Sequence, residues 1–215
     1  MRGEKRVRYV IEKMTLAQLP RIVEIEKRAY PTSQWPSSAY QRELQDNQWA
    51  HYIIVRDTAI TASRSTGEVE AVSRRSFPFS LFSQSRPSVA ESTLTSIVGF
   101  AGLWLMIDEA HITTIATDTF VRRRGLGELL LVHLIDISYE IGARWVTLEV
   151  RVGNEAAKAL YRKYGFSIVS TRPRYYTDND EDAYIMWTEE ITTPEYRAMF
   201  ADLKAKLYQR LSDET

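Results

Sequence analysis

The 215-residue chain is organised around the stretch Arg122-Arg123-Arg124-Gly125-Leu126-Gly127-Glu128. A β-like run at residues 110–117 precedes it, and apolar residues with helical spacing follow it to about Gly142. Glycines let a ligand lie against the backbone, and the first N–H groups of a helix attract anions. Neighbouring arginines add bidentate phosphate donors. The stretch therefore predicts a phosphate-binding turn at the start of a helix.

This glycine turn is a weak signal when it is taken alone. It is not a P-loop, because no Gly-Lys-Ser/Thr follows, and it lacks the third glycine of a dinucleotide fingerprint. The alternative is a basic loop that caps a surface helix. The choice between the two interpretations depends on the residues downstream.

The composition is that of an ordinary globular protein, with 44% hydrophobic and 26% charged residues. The formal net charge of zero argues against a general nucleic-acid binder. The absence of cysteine excludes thiol catalysis, and three scattered histidines argue against a metal site. No apolar stretch approaches the roughly 18 residues of a membrane-spanning helix, and no signal core follows the N-terminus. A cytoplasmic protein is expected.

Hydrophobic periodicity predicts a mixed α/β sheet with helices on both faces. The predicted strands lie at residues 6–14, 51–56, 97–107, 110–117, 145–150, 166–171 and 182–188. The predicted helices lie at residues 16–29 and 38–46, from the glycine turn to about 142, at 154–164, and from 194 onward. A polar, tyrosine-bearing loop is expected at residues 172–181.

The expected organisation is a single domain over residues 1–191 and a helical extension over residues 192–215. Residues 57–96 form a serine-rich insertion between the second and third strands. This insertion is either mobile with one apolar turn at residues 77–82, or folded back there onto the body or a partner. The last helix carries an apolar stripe and is expected to pack on the body or on a second subunit.

Glu149 places one carboxylate in an otherwise apolar strand. A carboxylate in such a strand is costly unless it is hydrogen-bonded or hydrated. Burial is expected to raise its pKa, which suits a general base near neutral pH. The alternative is that Glu149 faces water or pairs with Arg151.

Tyr161 and Asn154 lie on the segment that follows this strand. The Tyr161 phenol can give a proton to a leaving thiolate, although core packing is the commoner fate of a helical tyrosine. Asn154 is a good helix N-cap, and it can also contact a ligand if its capping role is shared.

An ordered set of segments resembles the GNAT acetyltransferase superfamily. The segments are Ile115-Ala116-Thr117, Arg122-Arg123-Arg124-Gly125-Leu126-Gly127, Leu148-Glu149-Val150-Arg151, Asn154-Glu155-Ala156-Ala157, residues 159–166, Tyr175-Tyr176 and Glu181-Asp182-Ala183. Within the superfamily, the set is similar to the bacterial ribosomal-protein-alanine N-acetyltransferases of RimI type and their N-terminal acetyltransferase relatives. The resemblance covers about residues 7–187, except the insertion.

The resemblance implies the GNAT fold, with a mostly antiparallel central sheet, and acetyl-CoA as co-substrate without a metal. The pyrophosphate would lie on the glycine turn, and the pantetheine arm would pair with the strand that precedes it. The implied cofactor-binding residues are Ile115, Ala116, Thr117, Arg122, Arg123, Arg124, Gly125, Leu126, Gly127, Glu128 and Asn154. The family usually has Gln at position 122 and a basic or small residue at position 128. Glu128 therefore either weakens phosphate binding or favours the helix N-terminus.

The resemblance also implies acetylation of a protein N-terminal α-amine, with a ribosomal protein as one candidate acceptor. Glu149 matches the general base and Tyr161 the general acid, while Trp35, Tyr175 and Tyr176 correspond to the walls of the peptide site. Direct contacts with nucleic acid or membrane are not expected, and the oligomeric state stays open. The alternatives are a GNAT enzyme for a small amine and a non-catalytic acetyl-CoA-binding scaffold.

Overall fold

Seven strands form one sheet in the computed structural model, which describes residues 8–32, 34–60 and 93–213. The strands are β1 Tyr9–Lys13, β2 Ala50–Asp57, β3 Ile97–Met106, β4 Glu109–Thr117, β5 Trp145–Arg151, β6 Phe166–Tyr176 and β7 Glu181–Thr188. Their order is β1-β2-β3-β4-β5-β7-β6, and only β4 and β5 pair in parallel. The predicted mixed, mostly antiparallel sheet is confirmed.

Helices cover both faces of this sheet, as predicted. They are α1 Leu19–Ala29, α2 Ser37–Asp46, α3 Leu126–Glu140, α4 Glu155–Lys163 and α5 Pro194–Asp213, with short 3₁₀ turns at Leu16–Gln18 and Thr119–Val121. One core includes Leu130 and Leu134 of α3, and a second core on α1 includes Ile22 and Ile25. All four side chains are fully buried.

Helix boundaries follow the capping signals in the sequence. Thr15 and Gln18 form the predicted capping box, which opens the 3₁₀ turn that leads into α1. Gly142 and Gly165 have φ angles of 80° and 81° after α3 and α4. Glycine adopts this left-handed conformation without strain, so each of these helices ends where the sequence predicts.

The last helix packs on the body of its own chain. Tyr196, Phe200, Leu207 and Leu211 of α5 are buried in the same core as α3. The Tyr196 hydroxyl also donates to the backbone oxygen of Tyr164 at 2.9 Å. Of the two positions considered for this helix, the structure therefore shows the one on the body.

Strand β6 is longer than predicted. It was expected to end at residue 171, but it runs Phe166–Tyr176, so the predicted loop at residues 172–181 shrinks to residues 177–180. The strand lies at the sheet edge and is mostly exposed, so the apolar alternation that marks a half-buried strand is missing. The expectations for residues 61–92, including the apolar turn at 77–82, lie outside the described residues.

Strands β4 and β5 pair along only part of their length and separate toward one end of the sheet. Their parallel ladder joins Glu109–Ile112 only to the first four residues of β5, Trp145–Leu148. A bulge in β4 also interrupts its pairing with β3 between Gly102 and Leu103. Residues 113–117 of β4 and 149–151 of β5 are not paired with each other, and they form the two sides of an opening in the sheet. The candidate site lies in this opening.

Candidate active site

A cleft of about 510 Å³ lies at the β4–β5 opening. It brings together seven of the predicted site residues from widely separated segments, namely Trp35, Ile115, Glu149, Asn154, Tyr161, Tyr175 and Tyr176. The other predicted residues lie at the adjoining end of β4 (Ala116 and Thr117), in the turn before α3 (residues 122–125) and in the first turn of α3 (residues 126–128). Ala116 is itself buried.

The Glu149 carboxylate lies between two nitrogen-bearing side chains. His111 Nε2 is 3.1 Å from Glu149 Oε2, and Arg172 Nη1 is 3.0 Å from Glu149 Oε1. Burial acts to raise the pKa of Glu149, but the hydrogen bond and charge of His111 and the charge of Arg172 outweigh it and lower the pKa. The expected raised pKa was therefore wrong. The carboxylate is charged at neutral pH and can accept a proton.

Arg151 does not pair with Glu149, so that alternative is wrong. Its Nη2 lies 2.9 Å from both Asp178 carboxylate oxygens, and its Nη1 donates to Glu181 Oε2 at 3.1 Å. Its guanidinium also stacks 3.8 Å from the centroid of the Tyr176 ring. Arg151 thus ties the β6–β7 turn to the wall of the cleft.

His111 is a site residue that the sequence reasoning missed. In the parallel register His111 lies beside Thr147, and side chains two positions apart share a face, so Glu149 is its neighbour. His111 Nδ1 is 2.9 Å from Thr147 Oγ1, and the Thr147 hydroxyl donates to Glu109 Oε1 at 2.5 Å. The sequence does contain a signal for this contact, namely Glu109-x-His111 on β4 and Thr147-x-Glu149 on β5. It indicates that His111 lies near Glu149 only when the parallel pairing of the two strands is known.

Tyr161 lines the cleft while its ring packs 5.7 Å from the ring of Phe166. Core packing and a place in the site are therefore compatible for this residue. Burial raises the pKa of Tyr161, and the nearby Tyr30 and Tyr176 raise it further. The phenol stays protonated across neutral pH and can act as a proton donor.

Asn154 caps α4 and lines the cleft at the same time. Its Oδ1 accepts a hydrogen bond from the backbone N–H of Ala157 at 3.2 Å. On another wall the rings of Tyr175 and Tyr176 meet edge to face, with centroids 5.1 Å apart. Trp35 completes this aromatic surface from the segment between α1 and α2. The three aromatic residues therefore form walls of one cleft.

The glycine turn presents open backbone at the start of α3. Gly125 has a φ of 73°, and a Cβ built on Gly127 would meet no atom within 4 Å. The side chains of Arg122, Arg123 and Arg124 are exposed beside this space. Open backbone at a helix N-terminus with arginines beside it fits a diphosphate group.

Glu128 does not present an unpaired charge to this turn. Its Oε1 accepts from Lys163 Nζ at 2.5 Å and from the Tyr164 hydroxyl at 2.7 Å, and its Oε2 accepts from Arg210 at 2.6 Å. Burial acts to raise the pKa of Glu128, but these three donors outweigh it and lower the pKa. The carboxylate joins α3 to α4 and α5, so its charge is balanced beside the glycine turn.

Two features are absent from the described residues. Within the ranges 8–32, 34–60 and 93–213, no cluster of three or more His, Cys, Asp or Glu side chains is arranged to hold a metal ion. In the same part of the chain, no helix is both long and apolar enough to span a membrane.

The sequence of this chain is similar to those of known acetyltransferases. The Acetyltransferase (GNAT) family model matches residues 19–166. A Bacillus subtilis protein, named as a candidate ribosomal protein bS18-alanine N-acetyltransferase, is 30% identical over 177 residues, which is 82% of this chain and 93% of the relative. The ribosomal protein bS18-alanine N-acetyltransferase of Escherichia coli is 45% identical over 92 residues, 42% of this chain and 62% of the relative.

A solved structure resembles the whole architecture. The crystal structure of the ribosomal-protein-S18-alanine N-acetyltransferase from Escherichia coli matches with a TM-score of 0.62 and 27% identity, and the match covers 84% of this chain and 92% of that one. The fold, the cleft at the β4–β5 opening and these similarities all point to the same family. The chain belongs to the GNAT acetyltransferase family and is an N-acetyltransferase.

Proposed function

We propose that this chain acetylates the N-terminal α-amine of a protein, with acetyl-CoA as the acetyl donor. The observation that carries the proposal is the cleft that Glu149 and Tyr161 both line, together with the open glycine turn. The acceptor class is supported by the relatives named for the alanine of ribosomal protein bS18. A ribosomal protein is therefore the first acceptor to test.

The glycine turn and the free side of β4 would hold the cofactor, which supplies the acetyl group as a thioester. Residues 122–128 offer helix N–H groups and arginines to a diphosphate. The β4–β5 ladder ends at Ile112, so Ile115, Ala116 and Thr117 lie beyond the paired region, where an extended arm can lie along the strand. Asn154 contributes a side-chain amide from the other side of the cleft.

Glu149 would act as the general base. An α-ammonium group has a pKa of roughly 8, so at neutral pH it must lose a proton before the amine can attack. Glu149 is charged under these conditions and lies in the cleft, where it takes that proton directly or through a water molecule. Tyr161, whose raised pKa keeps it protonated, would supply a proton to the departing sulfur.

An acetylation assay tests the proposed acceptor. The protein should acetylate a peptide that begins with alanine, and mass spectrometry should locate the acetyl group on the α-amine. A polyamine and an aminosugar serve as competing acceptors for the small-amine alternative. Greater kcat/KM with either small amine than with the peptide would overturn the proposed acceptor class.

A further inference from the structure

Glu26 is a buried carboxylate in the cleft that the proposed reaction does not yet use. It lies on α1, only 3% of the residue is exposed, and it lines the same cleft as Glu149. Its Oε1 accepts a hydrogen bond from the backbone N–H of Trp35 at 3.0 Å. Its Oε2 is also buried and makes no hydrogen bond of regular geometry with the described residues, although the Tyr40 hydroxyl lies near the carboxylate. The hydrogen-bonding capacity of this oxygen is therefore largely unmet.

The surroundings of Glu26 lack a balancing positive charge. Burial raises its pKa, while the Trp35 N–H and the nearby Tyr40 hydroxyl only partly offset that effect. Among the residues that the structure describes, no Lys, Arg or His contributes to the charge balance of Glu26. A buried carboxylate without a cation or a full set of donors is costly, so Glu26 is stabilised either by taking up a proton or by a cationic partner.

The α1 side of the cleft contains a second polar atom without a partner. Thr114 Oγ1 is buried, makes no hydrogen bond of regular geometry within the described chain although it lies near Tyr30, and belongs to a residue that lines the cleft. The neighbouring Tyr30 hydroxyl is already engaged, because it donates to the Ile115 backbone oxygen at 2.6 Å. An ionised carboxylate only accepts hydrogen bonds. An occupant that satisfies both the ionised carboxylate and the Thr114 hydroxyl therefore supplies N–H or O–H donors.

We propose that Glu26 anchors the α-ammonium of the acceptor peptide. One N–H of the ammonium would bind Glu26 Oε2, and another would point to Glu149, so the cation would lie between carboxylates from α1 and β5. The inference rests on the proposed function, because it takes a peptide N-terminus as the acceptor. The hydrogen bond to Trp35 links this anchor to the aromatic wall of the site. The anchor explains selection of a free N-terminus over one that lacks a charged amine.

Steady-state kinetics of Glu26→Gln with an alanine-initiated peptide test the anchor. Glutamine keeps the size of the side chain and an oxygen for the Trp35 N–H, but it places an amide donor where the ammonium needs an acceptor. The peptide KM should rise on the order of 10-fold or more, as for the loss of a hydrogen bond to a charged group, while kcat changes much less. The acetyl-CoA affinity, measured by calorimetry, should stay unchanged.

Glu24→Gln is the matched control, because Glu24 lies on the same helix with an exposed side chain. It should leave the peptide KM unchanged. Glu26→Asp keeps the charge and should retain part of the affinity that Glu26→Gln loses. Melting temperatures of all variants check that the fold is intact.

A peptide KM for Glu26→Gln within twofold of the parental value would overturn the anchor and leave the proposed function standing. Glu26 would then only hold the Trp35 segment. If Glu26→Gln does not fold, a Glu26→Asp variant that folds and has the parental peptide KM would count equally against the anchor. Failure of the parental protein to acetylate any N-terminal peptide would instead overturn the proposed function, and the anchor would fall with it.

Discussion

Glu149 owes its charged state to side chains from neighbouring strands. His111 of β4 and Arg172 of β6 contact one carboxylate oxygen each, and together they outweigh the effect of burial on its pKa. The identity of Glu149 as the single carboxylate of an apolar strand was readable from sequence. Its partners were not, because they come from segments 38 and 23 residues away and depend on strand order.

Removal of His111 should shift the acid limb of the pH–rate profile. His111 lowers the pKa of Glu149, so His111→Phe should raise that pKa, and the base should become protonated at a higher pH than in the parent. As the pH is lowered, the His111→Phe variant should therefore lose activity at a higher pH than the parent does. His133→Phe is the control, because His133 contacts Tyr208 of α5 instead. An unmoved acid limb in His111→Phe would show that His111 does not act on the base.

Gly127→Val should abolish cofactor binding without loss of the fold. The added Cβ would meet no protein atom within 4 Å, so the side chain would enter the space assigned to the diphosphate. Acetyl-CoA should raise the melting temperature of the parent but not of this variant. Glycine is less favourable than alanine in a helix by about 1 kcal/mol, so Gly127→Val without acetyl-CoA should be no less stable than the parent. An equal acetyl-CoA shift in both proteins would place the cofactor elsewhere.

At the scale of elements, Asp118 fastens α1 to the strand that leads into the glycine turn. Its Oδ2 accepts from Arg21 at 2.7 Å and from Arg28 at 2.8 Å, and its side chain is 3% exposed. Burial acts to raise the pKa of Asp118, but the Phe120 N–H and the two arginines outweigh it and lower the pKa. This stabilisation is present above the unfolded pKa of about 3.9 and is lost as pH falls through the lower folded value.

Asp118→Asn should therefore destabilise the fold by about 2–3 kcal/mol at pH 7, because it removes the charged acceptor that two arginines share. Urea unfolding measures the change. Glu24→Gln removes an exposed partner of Arg21 and should cost at most about 1 kcal/mol. A difference below 1 kcal/mol between the two variants would show that the Asp118 cluster does not secure α1.

Elements with strong local signals were the ones that the sequence predicted well. Helix α3 combines a glycine turn, a long apolar face and a terminal glycine, and its position was correct. Strand β6 has no such signal, because Arg172 and Arg174 occupy an exposed edge whose pairing with β7 is irregular. The β-propensity of a segment describes only its local preference, whereas the length of an edge strand depends on its pairing with the neighbouring strand.

At the scale of the whole molecule, we propose one domain over residues 1–191 with an insertion at 57–96 and a helical extension at 192–215. The extension is more than an appendage, because Arg210 of α5 reaches Glu128 beside the glycine turn. The ends of β2 and β3 already meet, with the Asp57 N–H donating to the Ser96 backbone oxygen at 2.9 Å.

Replacement of residues 61–92 by a short glycine-containing turn should leave a single cooperative unfolding transition. The reason is that β2 and β3 pair without them and that the entropy of loop closure changes slowly with loop length. Residues 58–60 and 93–96 are kept, because Arg56 donates to the Thr93 backbone oxygen and the Ser96 hydroxyl. An insoluble product, or one without a cooperative transition, would show that the replaced residues belong to the core.

In the proposed reaction, Glu149 is the base and Tyr161 the acid of one acetyl transfer. A pH–rate profile of the parent, Glu149→Gln and Tyr161→Phe with an alanine-initiated peptide tests it most directly. Glu149→Gln should lose on the order of 10²- to 10⁴-fold in kcat/KM at pH 7 and recover part of the loss at higher pH, where the amine is already neutral. Tyr161→Phe should lose activity without that recovery. Near-parental kcat/KM for Glu149→Gln at pH 7 would contradict the account.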